Sequence, residues 1–326
     1  MMVSGQPDLI ESDATNLIDE DTGREHLSAS QVSTLLACPQ KYDYSYGQRL
    51  EPVAIRPALS LGKAFQRAIE LNDPEAGAKA IDEEREVRDQ EDADQAAKDA
   101  SIVKAAARLY LSRYPVTENS QKEYGYRVRL RNPWTGSYSR TFDLLGYADE
   151  LAEEDGGDLV LIENKFVGQI SEVSIRRLPL DRQISLAAYG IWRATGRQVS
   201  KVRYRFTRKP SIRQKKGESV GEFCMRVERD YNERPDFYSE EQVIYRDQAS
   251  LWRTEAELWE WAEQVRASRK RALFTRNTSA CTDFGGCEFL PLCLGDPDAH
   301  ALYQEKQPKE GTNGNGNPIA EQENAA

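Results

Sequence analysis

The spacing of apolar residues predicts helices near both ends of the chain. Val32, Leu35 and Leu36 recur at helical intervals, so they line one face of a helix. Ser28 and Ser30 stand at its start, where a side-chain hydroxyl can accept a hydrogen bond from a free backbone N–H. The other predicted helical segments are a short turn from Pro39, then 61–70, 102–114, 181–196 and 250–274.

The middle of the chain has a different pattern, which predicts strands. Three β-rich runs, 123–136, 138–151 and 157–166, are separated by Asn-Pro, Thr-Gly and Asp-Gly-Gly turns. A fourth alternating run covers 201–209. Because helices precede, interrupt and follow these strands, we expect an α/β or α+β domain with a mixed sheet.

The two ends of the chain lack this periodicity. Residues 1–26 are polar and acidic and residues 304–326 are rich in Gly and Asn, so we expect disordered tails around one domain over 27–303. No stretch approaches the roughly 20 apolar residues that span a bilayer, and the N-terminus is acidic where a signal peptide is basic. The protein is therefore expected in the cytoplasm, away from membranes.

Charge is distributed unevenly. The formal net charge of −10 argues against a general affinity for nucleic acid. Much of the acid lies in the N-terminal tail and in 82–94, which we interpret as solvated or flexible. The basic segment 202–217 can bind a polyanion without reading base sequence, unless it is only a solvated hairpin. Its predicted DNA-binding residues are Arg203, Arg205, Lys209, Arg213, Lys215 and Lys216.

Carboxylates and a lysine at two strand ends carry the predicted chemistry. Two histidines are too few for histidine-based metal chemistry. Glu163 and Lys165 point to the same side of their strand and follow an apolar run that should be buried. Asp149 ends the preceding strand, fourteen positions earlier, so Asp149 and Glu163 can share a divalent cation. The alternative is a surface hairpin with an ordinary Glu–Lys pair.

Cysteines form a second group. Cys281, Cys287 and Cys293 follow a C-x5-C-x5-C pattern in a loop rich in turn residues. Disulfides are not expected in a cytoplasmic chain of this size. Four thiolates suit zinc or a [4Fe-4S] cluster, and cysteine spacing does not choose between the two. The alternative is three unrelated buried cysteines, and Cys224 is interpreted as a buried small hydrophobe.

Several of these segments, in this order, resemble the PD-(D/E)XK nuclease superfamily. The sequences GYAD and IENK are similar to its motifs II and III. The flanking segments resemble its RecB-type branch. Segment 28–47 is similar to the N-terminal helix with its Cys-Pro and aromatic cluster, and segment 61–70 to a helix in which Gln66 stands where the family has His.

The helix that follows motif III departs from the family pattern. The family carries Gln-x3-Tyr there, whereas this chain has Gln183 and Tyr189, six positions apart. Six steps place two side chains about 120° apart around a helix, against about 40° for four steps, so the pair cannot act together in the usual way. Gln183 or Ser185 is then the functional residue, with a plain amphipathic helix as the alternative.

The resemblance implies a restriction-endonuclease-like fold with a mixed central sheet flanked by helices. It also implies a Mg²⁺- or Mn²⁺-dependent nuclease that hydrolyses phosphodiester bonds in DNA. We expect an exonuclease acting on single strands or ends, phage-like or bacterial, in recombination, replication, repair or defence, with a helicase or recombinase partner. The implied catalytic residues are Asp149, Glu163, Lys165, Gln66, Gln183 and Tyr189, with Asp149 and Glu163 holding the metal.

The RecB-type branch also implies a metal centre made of cysteines. In iron-sulfur nucleases of the AddB and CRISPR-adaptation types, one Cys precedes the catalytic core and three follow it. The corresponding residues, Cys38, Cys281, Cys287 and Cys293, would hold a [4Fe-4S] cluster that staples the ends of the domain together, with Zn²⁺ as the alternative. Because Gln66 and the shifted Gln183 depart from the pattern, a second hypothesis is a catalytically weak or inactive iron-sulfur DNA-binding module of the same fold.

Overall fold

The computed structural model describes residues 23–53, 60–84, 89–116, 119–154 and 156–306. The helices are α1 (Ala29–Ala37), α2 (Pro39–Tyr42), α3 (Ser60–Glu70), α4 (Pro74–Glu84), α5 (Gln90–Arg113), α6 (Glu172–Arg177), α7 (Arg182–Thr195), α8 (Val220–Glu233), α9 (Pro235–Tyr238), α10 (Gln248–Lys270) and α11 (Leu290–Leu294). The strands are β1 (Glu25–Leu27), β2 (Leu50–Pro52), β3 (Ser120–Arg131), β4 (Tyr138–Glu153), β5 (Leu159–Val167), β6 (Val199–Arg208), β7 (Ser239–Tyr245) and β8 (Tyr303–Glu305). Shorter π or 3-10 turns cover Asp43–Gly47, Leu178–Leu180, Thr278–Gly285 and Ala299–Leu302.

The described chain divides into two compact units, and the single domain that the sequence predicted stays a prediction. Unit 1 comprises the described residues within 60–128 and 145–254. Unit 2 comprises 23–53, 129–144 and 255–306.

Unit 1 is built on a mixed sheet. β5 pairs antiparallel with β4 and parallel with β6, and β7 pairs antiparallel with β6. The apolar run at the start of β5 is buried on both faces, as expected of a central strand. Helices α3, α5 and α8 bury a common cluster that includes Phe65, Val103 and Phe223. This sheet with flanking helices confirms the predicted mixed α/β architecture.

Helix α7 is fixed at both ends and along its length. The Asp181 side chain caps its first turn, and Gly196 ends it with φ +73°, a conformation that glycine adopts readily. Tyr126 of β3 is buried and lies against Gly190 of α7 and Gly146 of β4 so closely that a Cβ atom at either glycine would overlap the tyrosine side chain. The absence of a side chain at both glycines therefore sets how α7 packs on the sheet.

Unit 2 joins segments from the two ends of the chain. β1 pairs in parallel with the first part of β4, and β2 pairs antiparallel with β8. β1 begins inside the predicted disordered tail 1–26, and β8 extends into the predicted disordered tail 304–326. Both predicted tails therefore included residues that form strands. The rest of the two predicted tails, 1–22 and 307–326, lies outside the described residues.

The acidic segment 82–94, which was interpreted as solvated or flexible, is helical over 82–84 and 90–94, and residues 89–91 are exposed. Residues 90–94 form the first turns of α5, capped by the Asp89 side chain, which accepts a hydrogen bond from the Asp92 backbone N–H. Acidic residues are favourable in this first turn because the helix dipole is positive there. Residues 85–88 lie outside the described residues. Within the part of the chain that is described, no helix is both long and apolar enough to cross a membrane.

Candidate active site

The structure brings Asp149, Glu163 and Lys165 together in unit 1. The antiparallel register Glu150↔Ile162, continued by one residue, sets Asp149 of β4 beside Glu163 of β5. The Asp149 carboxylate accepts a hydrogen bond of 2.8 Å from the backbone N–H of Asn164, and the Lys165 ammonium donates to the Glu163 carboxylate. The three side chains predicted from the sequence therefore share one edge of the β4–β5 pair.

Glu163 is buried and Asp149 is half-buried, and the loss of solvent disfavours the charged form of each carboxylate. Burial raises the pKa of Glu163 to about 8, with a further contribution from the charge of Asp149 and an opposing one from Lys165. Burial also raises the pKa of Asp149 to about 6, although the Asn164 N–H and the Lys165 ammonium oppose it. The positive charge of the Lys165 ammonium therefore does not fully offset the effects that raise the pKa values of these two neighbouring acids.

Lys165 is the cation of this group. Burial alone would lower its pKa, but the carboxylates of Glu163, Asp181 and Asp149 outweigh that effect and the pKa of Lys165 is raised. The ammonium group also lies 3.4 Å from the Oε1 atom of Gln183, to which it donates a hydrogen bond. Lys165 is therefore charged at neutral pH and oriented by two acceptors.

Gln66 reaches this site through a residue that sequence reasoning missed. Its side-chain amide donates to the Glu123 carboxylate at 3.4 Å. Glu123 lies in β3 with φ +51°, an uncommon conformation for a residue other than glycine. Burial, together with Glu70 and Asp149, raises the pKa of Glu123 to about 8. Nothing in the sequence marks Glu123, because its proximity to Asp149 arises from strand pairing.

Gln183 and Tyr189 lie on different faces of α7, as their spacing predicted. Gln183 is exposed and contacts Lys165, whereas Tyr189 is fully buried and its ring centre lies 6.1 Å from that of Trp192. The structure thus brings Gln183 to the Lys165 ammonium. Ser185 donates to the backbone carbonyl of Asp181 at 2.7 Å, which is a contact within the helix.

Comparison with known proteins agrees with this geometry. The family model of the PD-(D/E)XK nuclease superfamily matches residues 26–294, which is most of the chain. The chain belongs to the PD-(D/E)XK nuclease superfamily. Members of this superfamily hydrolyse phosphodiester bonds and generally use Mg²⁺ or Mn²⁺. No curated protein matches the chain in sequence.

Two solved structures match this PD-(D/E)XK nuclease at low sequence identity. One is a crystal structure described as a "Putative exonuclease" from Eubacterium rectale, with 11% identity, a TM-score of 0.49, and coverage of 86% of this chain and 91% of that chain. The other is the crystal structure of SSO0001, with 12% identity, a TM-score of 0.32, and coverage of 76% and 77%.

The carboxylates of this PD-(D/E)XK nuclease suit a hard divalent cation. Among the described residues, no three His, Cys, Asp or Glu side chains are grouped closely enough to enclose a metal ion. Mg²⁺ does not need such a cage, since one or two carboxylates usually hold it together with water and substrate phosphate. Asp149 and Glu163 supply that number of oxygen ligands, and a cation there would offset the cost of burying both.

Asn164, the residue between Glu163 and Lys165, is held by a hydrogen bond from α5. The Asn164 side chain accepts a 2.7 Å hydrogen bond from the hydroxyl of Tyr110, on α5. Burial raises the pKa of Tyr110, so this hydroxyl keeps its proton at neutral pH. Arg205 donates to the same hydroxyl at 3.2 Å. These hydrogen bonds help to hold β5 in register with the part of β4 that carries Asp149.

The predicted DNA-binding residues fall into two groups in this nuclease. Arg203 forms ion pairs with Glu154 and Glu241, and Arg205 pairs with Glu241 at 3.3 Å. A phosphate could contact these arginines only by displacing a carboxylate. Lys209 packs over the ring of Phe166 at 5.4 Å. The exposed remainder of the set is Arg213, Lys215 and Lys216.

The cysteines of this nuclease lie in unit 2, except Cys224. Cys38, Cys281, Cys287 and Cys293 are free thiols. Burial raises the pKa of Cys293, and Cys287 and Cys38 lie near enough to raise it further. These three thiols are thus neighbours, yet within the described residues no three cysteines are arranged as ligands of one ion. The thiols do not fit a metal cage here, and the predicted cluster stays a prediction.

The exposure of Cys224 differs from its interpretation as a buried small hydrophobe. It is only partly buried on α8, and its sulfur lies 3.8 Å from the Ala97 carbonyl oxygen. It lines a cavity of about 320 Å³ in unit 1. Cys224 is therefore not the fully buried small hydrophobe that the sequence suggested.

Proposed function

We propose that this protein is a Mg²⁺- or Mn²⁺-dependent deoxyribonuclease whose catalytic residues are Asp149, Glu163 and Lys165. The observation that supports this proposal is the pair formed by the buried Glu163 carboxylate and the half-buried Asp149 carboxylate, with a charged lysine beside it. Asp149 and Glu163 would hold the cation, whose chemistry is to polarise the scissile phosphate and to lower the pKa of a water molecule. Hydrolysis then adds the water oxygen to phosphorus and breaks one P–O ester bond.

Lys165 has a separate role in this proposal. Its raised pKa keeps it protonated, so it is suited to donate hydrogen bonds and not to remove a proton from water at neutral pH. A fixed ammonium group stabilises the negative charge that develops on the phosphoryl oxygens in the transition state. Gln183 accepts from the same ammonium group and thereby orients it. Gln66 and Glu123 would act at the side of Asp149, and the buried Tyr189 would contribute to the packing of α7.

The finer substrate assignment is also a proposal. We infer exonucleolytic action on single strands or ends, and membership of the RecB-type branch, from the order of the sequence motifs. Exposed Arg213, Lys215 and Lys216 supply positive charge for a DNA backbone. A phage-like or bacterial setting in recombination, replication, repair or defence, with a helicase or recombinase partner, fits such an activity.

The decisive experiment is cleavage of end-labelled DNA by the purified protein with Mg²⁺ or Mn²⁺. We expect Lys165→Ala to lower the rate by about 100-fold or more, the scale for losing one electrostatic donor. Lys201→Ala is the matched control. Lys201 lies on β6 and also pairs with a glutamate, but that glutamate is Glu154, which is not a proposed metal ligand. We expect Lys201→Ala to keep the wild-type rate. Equal rates for wild type and Lys165→Ala would remove the proposed catalytic role.

A closed circular single strand tests the exonuclease assignment separately. An exonuclease needs an end, so the circle should survive conditions that degrade the linear strand. The presence of Gln66 at the position of the family's histidine favours a second candidate function, a DNA-binding module with weak catalysis. Tight DNA binding without metal-dependent cleavage in the wild type would support that candidate instead.

A further inference from the structure

The hairpin that joins β3 to β4 within unit 2 is positively charged, whereas the chain as a whole is acidic. Residues 129–142 contain three arginines, Arg129, Arg131 and Arg140, and no acidic residue, in a chain whose net charge is −10. Two aromatic residues stand among them, Trp134 and Tyr138. Arginine interleaved with exposed aromatic rings is the composition of surfaces that bind single-stranded nucleic acid.

The turn of this hairpin is held in one shape. The backbone N–H of Asn132 donates to the carbonyl of Ser137 at 2.8 Å, and that of Gly136 donates to the carbonyl of Asn132 at 2.9 Å. The Asn132 side chain accepts from the backbone N–H groups of Trp134 and Thr135 at 2.9 and 3.0 Å. This turn presents Trp134 with 59% of its surface exposed. A large ring held out on an ordered turn loses little entropy when a base stacks on it.

The arginines on the same hairpin differ in how far their charge is neutralised. Arg131 pairs with Glu255 at 3.4 Å. Arg129 is exposed, donates to the Ser139 carbonyl at 3.2 Å and lies 5.3 Å from the ring centre of Tyr138. Arg140 is exposed on β4. Within the described chain no carboxylate pairs with Arg129 or Arg140, in contrast to Arg203 and Arg205, which form half-buried ion pairs.

We propose that this hairpin binds single-stranded DNA, with a base stacked on Trp134 and backbone phosphates on Arg129 and Arg140. The proposal rests on the proposed function, because it assumes a nucleic-acid substrate, and it adds a contact outside the catalytic residues. A single strand is the favoured occupant because its bases are free to stack, whereas a duplex hides their faces. Unpaired guanidinium groups on an acidic protein also favour a polyanion.

The test is affinity for a fluorescently labelled oligothymidine measured by anisotropy, with the full chain in EDTA so that the strand is not cut. We expect Trp134→Ala to weaken binding by about 10-fold, within the range for loss of one stacked base. Trp134→Tyr keeps a ring and should retain most of the affinity. Trp252→Ala is the matched control, since Trp252 is 51% exposed on α10, beyond this hairpin, and should leave affinity unchanged.

Salt dependence tests the two arginines. Each phosphate contact to a single strand contributes about 0.7 to the slope of log affinity against log salt. Replacing both Arg129 and Arg140 by Gln should therefore lower that slope by about 1.4. An unchanged slope would overturn their assignment as phosphate contacts.

The outcomes separate this inference from the proposed function. Wild-type affinity in Trp134→Ala, with cleavage still dependent on Lys165, would overturn the hairpin contact and leave the nuclease assignment intact. An equal loss of affinity for blunt duplex DNA of the same length would overturn the preference for single strands. Loss of affinity in Trp134→Ala and not in Trp252→Ala would support the proposal.

Discussion

Glu163, a proposed metal ligand, lowers the stability of the metal-free protein. Its carboxylate is buried beside that of Asp149, and the pKa of Glu163 is raised to about 8. A buried acid that prefers its proton disfavours the folded state once the solution pH exceeds its unfolded pKa. A bound divalent cation reverses that preference by stabilising the charged form. The same side chain would therefore weaken the metal-free protein and strengthen the metal-bound one.

Glu163→Gln should accordingly stabilise the metal-free protein above neutral pH. The folded wild type holds this proton more tightly than the unfolded chain, so its stability is highest below the unfolded pKa and is lost as pH rises towards 8. Glutamine removes that loss, by about 1–3 kcal/mol at pH 8. Denaturant unfolding in EDTA at pH 5 and pH 8 measures the difference. Mg²⁺ should then stabilise the wild type more than the variant.

Glu154→Gln is the control of opposite sign. Hydrogen bonds from Lys201 and Arg203 lower the pKa of Glu154, so its charged form stabilises the fold at neutral pH. Replacing it should lower stability at pH 8 and have little effect at the lowest pH. If Glu163→Gln shows the same direction as this control, then burial of Glu163 does not carry the cost that we assign to it.

At the scale of elements, the sequence predicts the helices and strands that have a clear local periodicity. It does not predict which residues from distant segments come into contact. The apolar run of β5 and the capped helix α7 could be predicted because pattern and cap lie in the same segment. Helix α8 was missed, although Ser219 and Glu222 form a capping box at its start. Glu123 and the ion pair of Arg205 with Glu241 were missed, because the carboxylates beside Glu123 and Arg205 come from other strands and from α3.

Gly190 shows how one element positions the site. Because Tyr126 fills the space beside it, a Cβ at Gly190 would push α7 away from the sheet. Gly190→Ala gains about 1 kcal/mol of helix propensity, but overpacking costs about 1–3 kcal/mol, so we expect net destabilisation. Cleavage should also slow, because Gln183 moves relative to Lys165. Thermal unfolding and the DNA cleavage rate measure the two effects.

Gly221 provides the matched helical control for this prediction. It lies in α8 with no atom within 4 Å of an added Cβ. Gly221→Ala should therefore stabilise the protein slightly and leave cleavage unchanged. A Gly190→Ala protein that behaves like Gly221→Ala would show that α7 has room to accommodate the methyl group.

At the scale of the whole molecule, the N-terminal and C-terminal segments of unit 2 are joined by ordinary contacts. β2 pairs with β8, and the backbone N–H of Gln40 donates to the Thr275 carbonyl at 3.0 Å. The Lys306 ammonium donates to the Ser45 carbonyl at 3.1 Å. Strand pairing and hydrogen bonds therefore join these segments, and the iron-sulfur staple that the sequence predicted stays a prediction. A metal held by the cysteines would add to these contacts and would not be their sole support.

Metal analysis of anaerobically purified protein decides whether the cysteines hold such a centre. The sequence prediction expects iron, acid-labile sulfide and visible absorption, all lost in Cys287→Ser and kept in Cys224→Ser, because Cys224 lies apart on α8. Zinc would instead give a colourless protein with metal lost in the same variant. Because β2–β8 pairing does not need the metal, circular dichroism of Cys287→Ser should retain the native secondary structure. A wild type free of both metals would refute the cysteine centre, and the carboxylate site in unit 1 would be unaffected.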